Sequence, residues 1–153
     1  MSEGHPEAEA RMVDVTAKDA TTREATASCL VKMSATTRDL VARRELPKGD
    51  ALEVARIAGI MGAKKTPELI PLCHPIAIGA VTIDLEPVEA GIEITAFVRT
   101  HERTGVEMEA LTAATVAALT VYDMVKGTER GVEVDEVRLL TKSGGRSGDW
   151  TRD

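Results

Sequence analysis

The chain has 153 residues with 25 acidic and 19 basic side chains, and its formal net charge is −6 at pH 7. This length suits one domain with a core of its own, and the acidic balance argues against a general nucleic-acid surface or an anionic membrane as partner. Aromatic residues make up only 2%, so platforms for base stacking are excluded and the core must be aliphatic. Two cysteines and the absence of a signal-peptide pattern favour a reducing cytoplasm.

The N-terminal part predicts a tail followed by the domain. Residues 1–10 are acidic and small, which predicts a flexible tail, and residues 11–150 then form a single domain. Residues 11–16 are compatible with a turn, although an edge strand is favoured. Small and β-branched residues over 23–33 alternate with period two and predict the first strand, with Cys29 as a small core residue.

Two helices follow this strand. Ser34 is a credible N-cap for a helix through residue 44, and Asp50 caps a second helix over 51–62. Residues 66–68, Thr-Pro-Glu, predict a further short helical turn. The second helix has an apolar stripe predicted to face the core, formed by Leu52, Ala55, Ile57 and Ile60.

Strict alternation over residues 80–86 and 92–98, on either side of a turn at 89–91, predicts a β-hairpin. A long helix and a last strand over 132–140 complete the order. This order predicts an α+β fold, a ferredoxin-like split βαβ with an extra helix and an antiparallel sheet. The helices cover one face of that sheet, and another subunit is expected to cover the other.

The long helix, within residues 103–127, is the central element of the sequence. Thr104 and Glu107 have the spacing of a capping box, and Gly127 is a plausible end. No residue between Glu109 and Asp123 is charged, so the helix needs cover on every face. This uncharged stretch is too short to span a bilayer, which favours a core position combined with a subunit interface.

The acidic residues at the two ends of this helix cannot contact one small ligand within one chain. Glu109 and Asp123 lie within about 40° on the helical wheel but about 21 Å apart along the axis. If two such helices pair antiparallel across a two-fold axis, the glutamate end of one subunit approaches the aspartate end of the other. The sequence therefore predicts an oligomer with a composite site.

Several side chains could perform chemistry. His74 is held between prolines beside Cys73, but adjacent residues make a poor zinc site and a poor Cys/His nucleophile. Asp123 and Lys126 form either a helix-end ion pair or a general acid/base couple, and Lys48 is either a solvated cation or an anion ligand. The glycine- and serine-rich residues 142–149, which contain two cations, suit a phosphate without forming a P-loop.

Four stretches together resemble the MoaC family: Pro-Leu-Cys-His-Pro at 71–75, Thr-Gly-Val-Glu-Met-Glu-Ala-Leu at 104–111, Tyr-Asp-Met at 122–124, and Lys-Ser-Gly-Gly-Arg-Ser-Gly at 142–148. The resemblance implies a hexamer built as a trimer of dimers, with active sites at the dimer interface. It also implies a lyase of molybdenum cofactor biosynthesis. Such a lyase converts 3′,8-cyclo-7,8-dihydroguanosine 5′-triphosphate to cyclic pyranopterin monophosphate and releases pyrophosphate.

The same resemblance implies roles for individual residues. The catalytic residues would be Asp123, Lys126 and Lys48. The substrate-binding residues would be Leu72, Cys73, His74, Glu107, Met108, Glu109 and Lys142. Arg146 stands where many members have lysine; arginine does not carry protons, so its expected role is binding at most.

No redox cofactor and no dedicated metal site are implied, although Mg²⁺ can accompany the substrate triphosphate. Two alternatives remain from the residues themselves. One is a non-catalytic oligomeric sensor of a phosphorylated metabolite, and the other is a Cys73-dependent hydrolase.

Overall fold

A computed structural model describes residues 9–153. The flexible tail predicted for residues 1–10 therefore lies almost entirely outside the described residues. In chain order, the strands and helices are β1 (Thr21–Lys32), α1 (Ala35–Ala42), α2 (Ala51–Lys64), α3 (Thr66–Leu69), β2 (Ile78–Val88), β3 (Gly91–Glu102), α4 (Glu107–Val125), β4 (Glu133–Ser143) and β5 (Trp150–Thr151).

The strands form one antiparallel sheet in the order β2-β3-β1-β4-β5. The first four strands have the ferredoxin-like order, so the predicted α+β class and topology are confirmed. β2 and β3 are the predicted hairpin, joined at Gly91, where a side chain would collide with the Val31 carbonyl. The short edge strand β5 was not predicted.

The core lies between one face of the sheet and the helices. β1 and β3 turn alternate residues toward α4, and α4 packs against both strands and against α2. Small residues allow this close approach: a Cβ on Gly62 of α2 would lie 2.9 Å from the Val116 side chain of α4. Cys29 is buried, as predicted, and its thiol donates to the Ala114 carbonyl at 3.3 Å.

α4 is longer than its uncharged stretch suggested. Its 19 residues have a mean hydropathy high enough for a membrane span by length and composition. Length therefore does not exclude a membrane position, contrary to the prediction. Packing decides the matter, because α4 packs against α2 and against the sheet and supplies many of the buried residues of the core.

The predicted helix caps are confirmed for two helices, and the prediction is wrong for a third. The Ser34 hydroxyl accepts from Thr37 N, and the Asp50 carboxylate accepts from the backbone amides of the first turn of α2. Thr104, however, does not cap α4, which begins at Glu107 after Val106 without a side-chain cap. The capping-box prediction fails because α4 begins two residues later than predicted, so that Val106 holds the cap position and Glu107 is the first helical residue instead of the third.

Two further predictions are wrong. Residues 11–15 form no strand, because the Asp14 carboxylate accepts from the backbone amide and hydroxyl of Thr16 and turns the chain there. Ile57 does not face the core; it is exposed on the outer face of α2, where glycine and alanine take the buried positions.

Candidate active site

An acid and two lysines meet at the C-terminal end of α4. Lys126 Nζ lies 2.9 Å from one Asp123 carboxylate oxygen and Lys48 Nζ lies 3.4 Å from the other. Lys48 also donates to the Asp123 carbonyl at 3.0 Å. Hydrogen bonds from Lys126 and then Lys48, with their positive charges, lower the pKa of Asp123. The three predicted catalytic residues therefore form one cluster, called here the acid–lysine cluster.

A second group of predicted residues lies at the N-terminal end of α4. Lys142 of β4 reaches the Glu107 carboxylate at 2.8 Å, and both side chains are less than one third exposed. Burial raises the pKa of Glu107, but the hydrogen bond and charge of Lys142 outweigh it, so the net pKa lies below its ordinary value. Glu107 of this pair lines a cleft of about 390 Å³, which Leu72, Cys73, His74 and Met108 also line.

Cys73 and Glu109 form a hydrogen-bonded pair behind this cleft. The thiol donates to Glu109 Oε2 at 3.7 Å, while Oε1 is buried without a partner among the described residues. Burial, followed by the charge of Glu109, raises the pKa of Cys73 to about 11, and burial also raises the pKa of Glu109. A thiol with this pKa is protonated at neutral pH, which argues against the Cys73-dependent hydrolase.

His74 is held by the segment that precedes β1. Its Nε2 lies 2.6 Å from the Val13 carbonyl, and because a carbonyl only accepts, Nε2 carries the proton. Arg11, Val13 and Lys18 of that segment line the same cleft. His74 thus fixes one wall of the cleft, and its Nδ1 is the nitrogen left for a ligand.

Sequence reasoning did not identify a neighbouring cationic pocket. This pocket of about 380 Å³ is lined by three cations, Lys18, Arg23 and Arg146, and by one acid, Asp19, together with Ser147. Lys18 also lines the cleft at Glu107. Within residues 9–153, Arg23 has no carboxylate partner; its buried guanidinium donates to the carbonyls of Glu102 and Asp19. A buried cation without an acid partner indicates a site for an anion. The burial of Arg23, however, becomes apparent only in the folded structure.

Within one chain the two groups do not converge. Glu107 and Asp123 are at opposite ends of α4, and the helical rise places them about 24 Å apart. The structure groups the three predicted catalytic residues at one end of the helix and the predicted substrate-binding residues at the other.

A half-covered stripe of mostly apolar side chains connects the two ends along the outer surface of α4. Leu119 is 56% exposed and Met108 is 38% exposed, although most of the helix is buried. The stripe, spaced at three and four residues, consists of Met108, Leu111, Thr115, Leu119 and Tyr122. This spacing is that of a helix face that packs against another helix.

Comparison with known proteins identifies the family of this chain. The model described as "MoaC family" matches residues 12–145. The chain belongs to the MoaC family. Proteins from Corynebacterium efficiens, Streptomyces coelicolor and Nocardioides sp. are each 58% identical to it, and each is named "Cyclic pyranopterin monophosphate synthase". The alignments cover 93–94% of this chain and 92%, 84% and 90% of the three relatives, respectively.

The part that matches the MoaC family contains all ten predicted site residues and two of the three cations of the new pocket, Lys18 and Arg23. Arg146 and strand β5 follow the matched region. Among residues 9–153, no three histidine, cysteine, aspartate or glutamate side chains are grouped so that they could hold a metal ion.

Proposed function

We propose that this chain is a lyase of molybdenum cofactor biosynthesis. It converts (8S)-3′,8-cyclo-7,8-dihydroguanosine 5′-triphosphate to cyclic pyranopterin monophosphate and releases pyrophosphate. The observation that carries this proposal is 58% identity, over 93% of the chain, to a protein named as the synthase of that product. The relatives do not support the alternative of a non-catalytic metabolite sensor, because they are named as a synthase.

A complete site needs two copies of the chain. Two α4 helices that pack antiparallel through the Met108–Tyr122 stripe would bring the acid–lysine cluster of one copy to the Glu107 cleft of the other. The separation of the two groups along α4, together with the uncovered stripe between them, supports this arrangement. Three such dimers form the proposed hexamer. Native mass spectrometry should show six chains, and Leu119→Arg should yield smaller species.

The cationic pocket suits the triphosphate. When a substrate hydroxyl attacks the α-phosphorus, the bond from this phosphorus to the oxygen that bridges it to the β-phosphorus breaks. Pyrophosphate leaves with that electron pair, and the hydroxyl proton passes to a base. Lys18, Arg23 and Arg146 offset the charge that develops on the leaving group, and the two arginines can bind phosphate oxygens in a bidentate manner.

The acid–lysine cluster supplies the proton transfers of the ring rearrangement. Asp123 lies within 3.4 Å of the Lys48 ammonium and within 2.9 Å of the Lys126 ammonium, so a proton can pass between this carboxylate and either lysine. The cleft at the other end of α4 holds the purine-derived rings, with Leu72 and Met108 as apolar walls and His74, Glu107 and Lys142 as polar contacts.

Mg²⁺ would arrive with the triphosphate, since the pocket has one carboxylate, Asp19, against three cations, and the described residues offer no metal cage. Both cysteines are free thiols, which fits the reducing cytoplasm that we propose for this enzyme.

The test is anaerobic turnover. The purified chain, supplied with the cyclic triphosphate, should release one pyrophosphate per pyranopterin formed, and omission of Mg²⁺ in a parallel reaction measures the metal requirement. Binding of the triphosphate without turnover would favour a sensor instead. Release of phosphate from ordinary nucleoside triphosphates would indicate a hydrolase and contradict the proposal.

A further inference from the structure

The C-terminal residues 149–152, called here the clasp, return the chain to β4 beside the cationic pocket. Trp150 pairs with Lys142 and Thr151 pairs with Thr141 in an antiparallel ladder. Beyond the ladder, Arg152 N donates to the Leu140 carbonyl at 2.8 Å and Arg152 Nε donates to the Leu139 carbonyl at 2.6 Å. The clasp therefore holds the end of β4 from which Lys142 projects.

The clasp also closes the loop that carries Arg146. The Asp149 carboxylate accepts from Gly144 N at 3.3 Å, and Gly148 N donates to the Gly145 carbonyl at 3.3 Å. With its far end fixed by the clasp, this loop is short and closed rather than a free tail.

The closed loop is pressed against the buried arginine of the pocket. Gly144 and Gly145 have φ values of +89° and +79°, and a Cβ on either would lie 2.2 Å from Thr22 O or Arg23 Nη1, respectively. Only glycine allows this backbone to lie so close to Arg23. The loop thereby brings Arg146 and Ser147 to the pocket that Lys18 and Arg23 line from the other side.

The clasp contributes little to the core. β5 has two residues, and Trp150 is 41% exposed, with the Arg152 guanidinium 5.4 Å from the centroid of its ring. It covers only the end of β4 next to the pocket and leaves the outer edge of β4 from Glu133 to Arg138 unpaired within the described residues. Protection of the sheet edge would require cover along its whole length.

We infer that the clasp is a positioning element, which acts through the loop that carries Arg146 to pre-organise the cationic pocket for a diphosphate group. This inference rests on the proposed function, which makes pyrophosphate the leaving group. A loop that is ordered before binding loses less conformational freedom when it contacts the anion, so binding is tighter. Truncation of the clasp should weaken binding of the phosphate groups in the pocket without changing the proton-transfer groups at Asp123.

The experiment measures binding and turnover on the same variants. The full chain, a chain that ends at Gly148, and Trp150→Ala, Trp150→Phe and Arg152→Ala are titrated with inorganic pyrophosphate by calorimetry and assayed with the cyclic triphosphate. Arg138→Ala, which removes an exposed arginine from the same strand away from the pocket, is the matched control.

We expect loss of the clasp to raise the Kd for pyrophosphate and the KM about tenfold with kcat changed less than about twofold. Trp150→Phe should behave like the full chain because it keeps the stacked pair with Arg152, and Arg138→Ala should change nothing. Should the truncated chain lose its thermal transition, Trp150→Ala and Arg152→Ala, which keep the full length, decide the outcome.

Equal Kd values with and without the clasp, in a chain that turns over the triphosphate, would overturn the positioning role and leave the proposed function intact. A fall in kcat with unchanged KM would also overturn it. A full chain that neither binds pyrophosphate nor turns over the triphosphate would instead refute the proposed function, and the clasp inference with it.

Discussion

Cys73 Sγ donates to the Glu109 carboxylate at 3.7 Å, and this contact ties the loop after α3 to the first turn of α4. Cys73 is half-buried and lines the cleft, whereas Glu109 is 1% exposed behind it. The thiol is therefore a neutral donor to one oxygen of a buried acid, and it forms part of the wall of the cleft.

Alkylation should reveal this protonated thiol. Because the pKa of Cys73 is about 11 instead of 9.0, iodoacetamide at pH 7 should react about a hundredfold more slowly than with an ordinary exposed thiol. Glu109→Gln removes a negative charge and should lower the pKa of Cys73, which speeds the reaction. Cys73→Ser measures the background from buried Cys29. Rapid labelling of Cys73 at neutral pH would show that its thiolate is accessible.

Asp123→Asn should abolish most of the proton transfer. The amide keeps the size of the side chain but cannot accept a proton from Lys126, so kcat should fall by about 10² to 10⁴ while KM changes little. Steady-state kinetics with the cyclic triphosphate measure both constants. Asp84→Asn, which changes an exposed carboxylate on β2, is the control. Unchanged kcat in Asp123→Asn would exclude the acid–lysine cluster from catalysis.

A mixing experiment tests the composite site. His74→Ala and Asp123→Ala should each be nearly inactive alone. If one chain supplies the cleft and its partner supplies Asp123, chains mixed and reassembled in equal amounts should recover about one quarter of the full activity, because half of the dimers are mixed and each holds one intact site. Mixing two preparations of the same variant is the control. If the mixed chains recover no activity although they are shown to exchange subunits, the whole site lies within one chain.

Local patterns predicted the parts of the fold that depend on neighbouring residues. The hairpin followed from strict alternation, and Ser34 and Asp50 cap helices because a side-chain oxygen one turn away is enough to satisfy the first free amides. Thr104 does not cap α4 because the helix begins two residues later than predicted, at Glu107, whose carboxylate pairs with Lys142, a residue distant in sequence. From the sequence alone, a glutamate at the capping-box spacing cannot be distinguished from a glutamate that pairs with a distant lysine in the fold.

The cationic pocket shows the same limit. Lys18 and Arg23 come from the start of the chain and Arg146 from its end, and the antiparallel pairing of β1 with β4 brings them together, with Glu24 opposite Ser143. The glycine-rich loop could be recognised as suited to a phosphate because its composition is local. Lys18 and Arg23 near the other terminus could not be recognised as its partners, because isolated cations in a sequence are usually solvated.

The contact of α2 with α4 should be sensitive to a single methyl group. Gly62→Ala places a Cβ 2.9 Å from the Val116 side chain, so the helices must separate, and the free energy of unfolding should fall by about 1–3 kcal/mol even though alanine favours the helix. Denaturant titration measures the change. Gly127→Ala, where no atom lies within 4 Å of the added carbon, is the matched control and should be nearly neutral. A stabilised Gly62→Ala chain would show that this helix contact is loose.

Stability should fall in acid through the Glu107–Lys142 pair. The pKa of Glu107 in the folded chain lies below its ordinary value of 4.5, so the folded state binds the proton less readily than the unfolded chain. The stabilisation is therefore complete above about pH 4.5 and is lost as the pH falls through the lower folded pKa. Glu107→Gln should be less stable than the native chain at pH 7, and the difference should shrink toward pH 3, as measured by denaturant unfolding across this range.

Glu86→Gln changes an exposed carboxylate of β2 that forms no ion pair within residues 9–153, and it should leave the pH profile unaltered. Parallel profiles for Glu107→Gln and the native chain from pH 7 to pH 3 would contradict the ion pair.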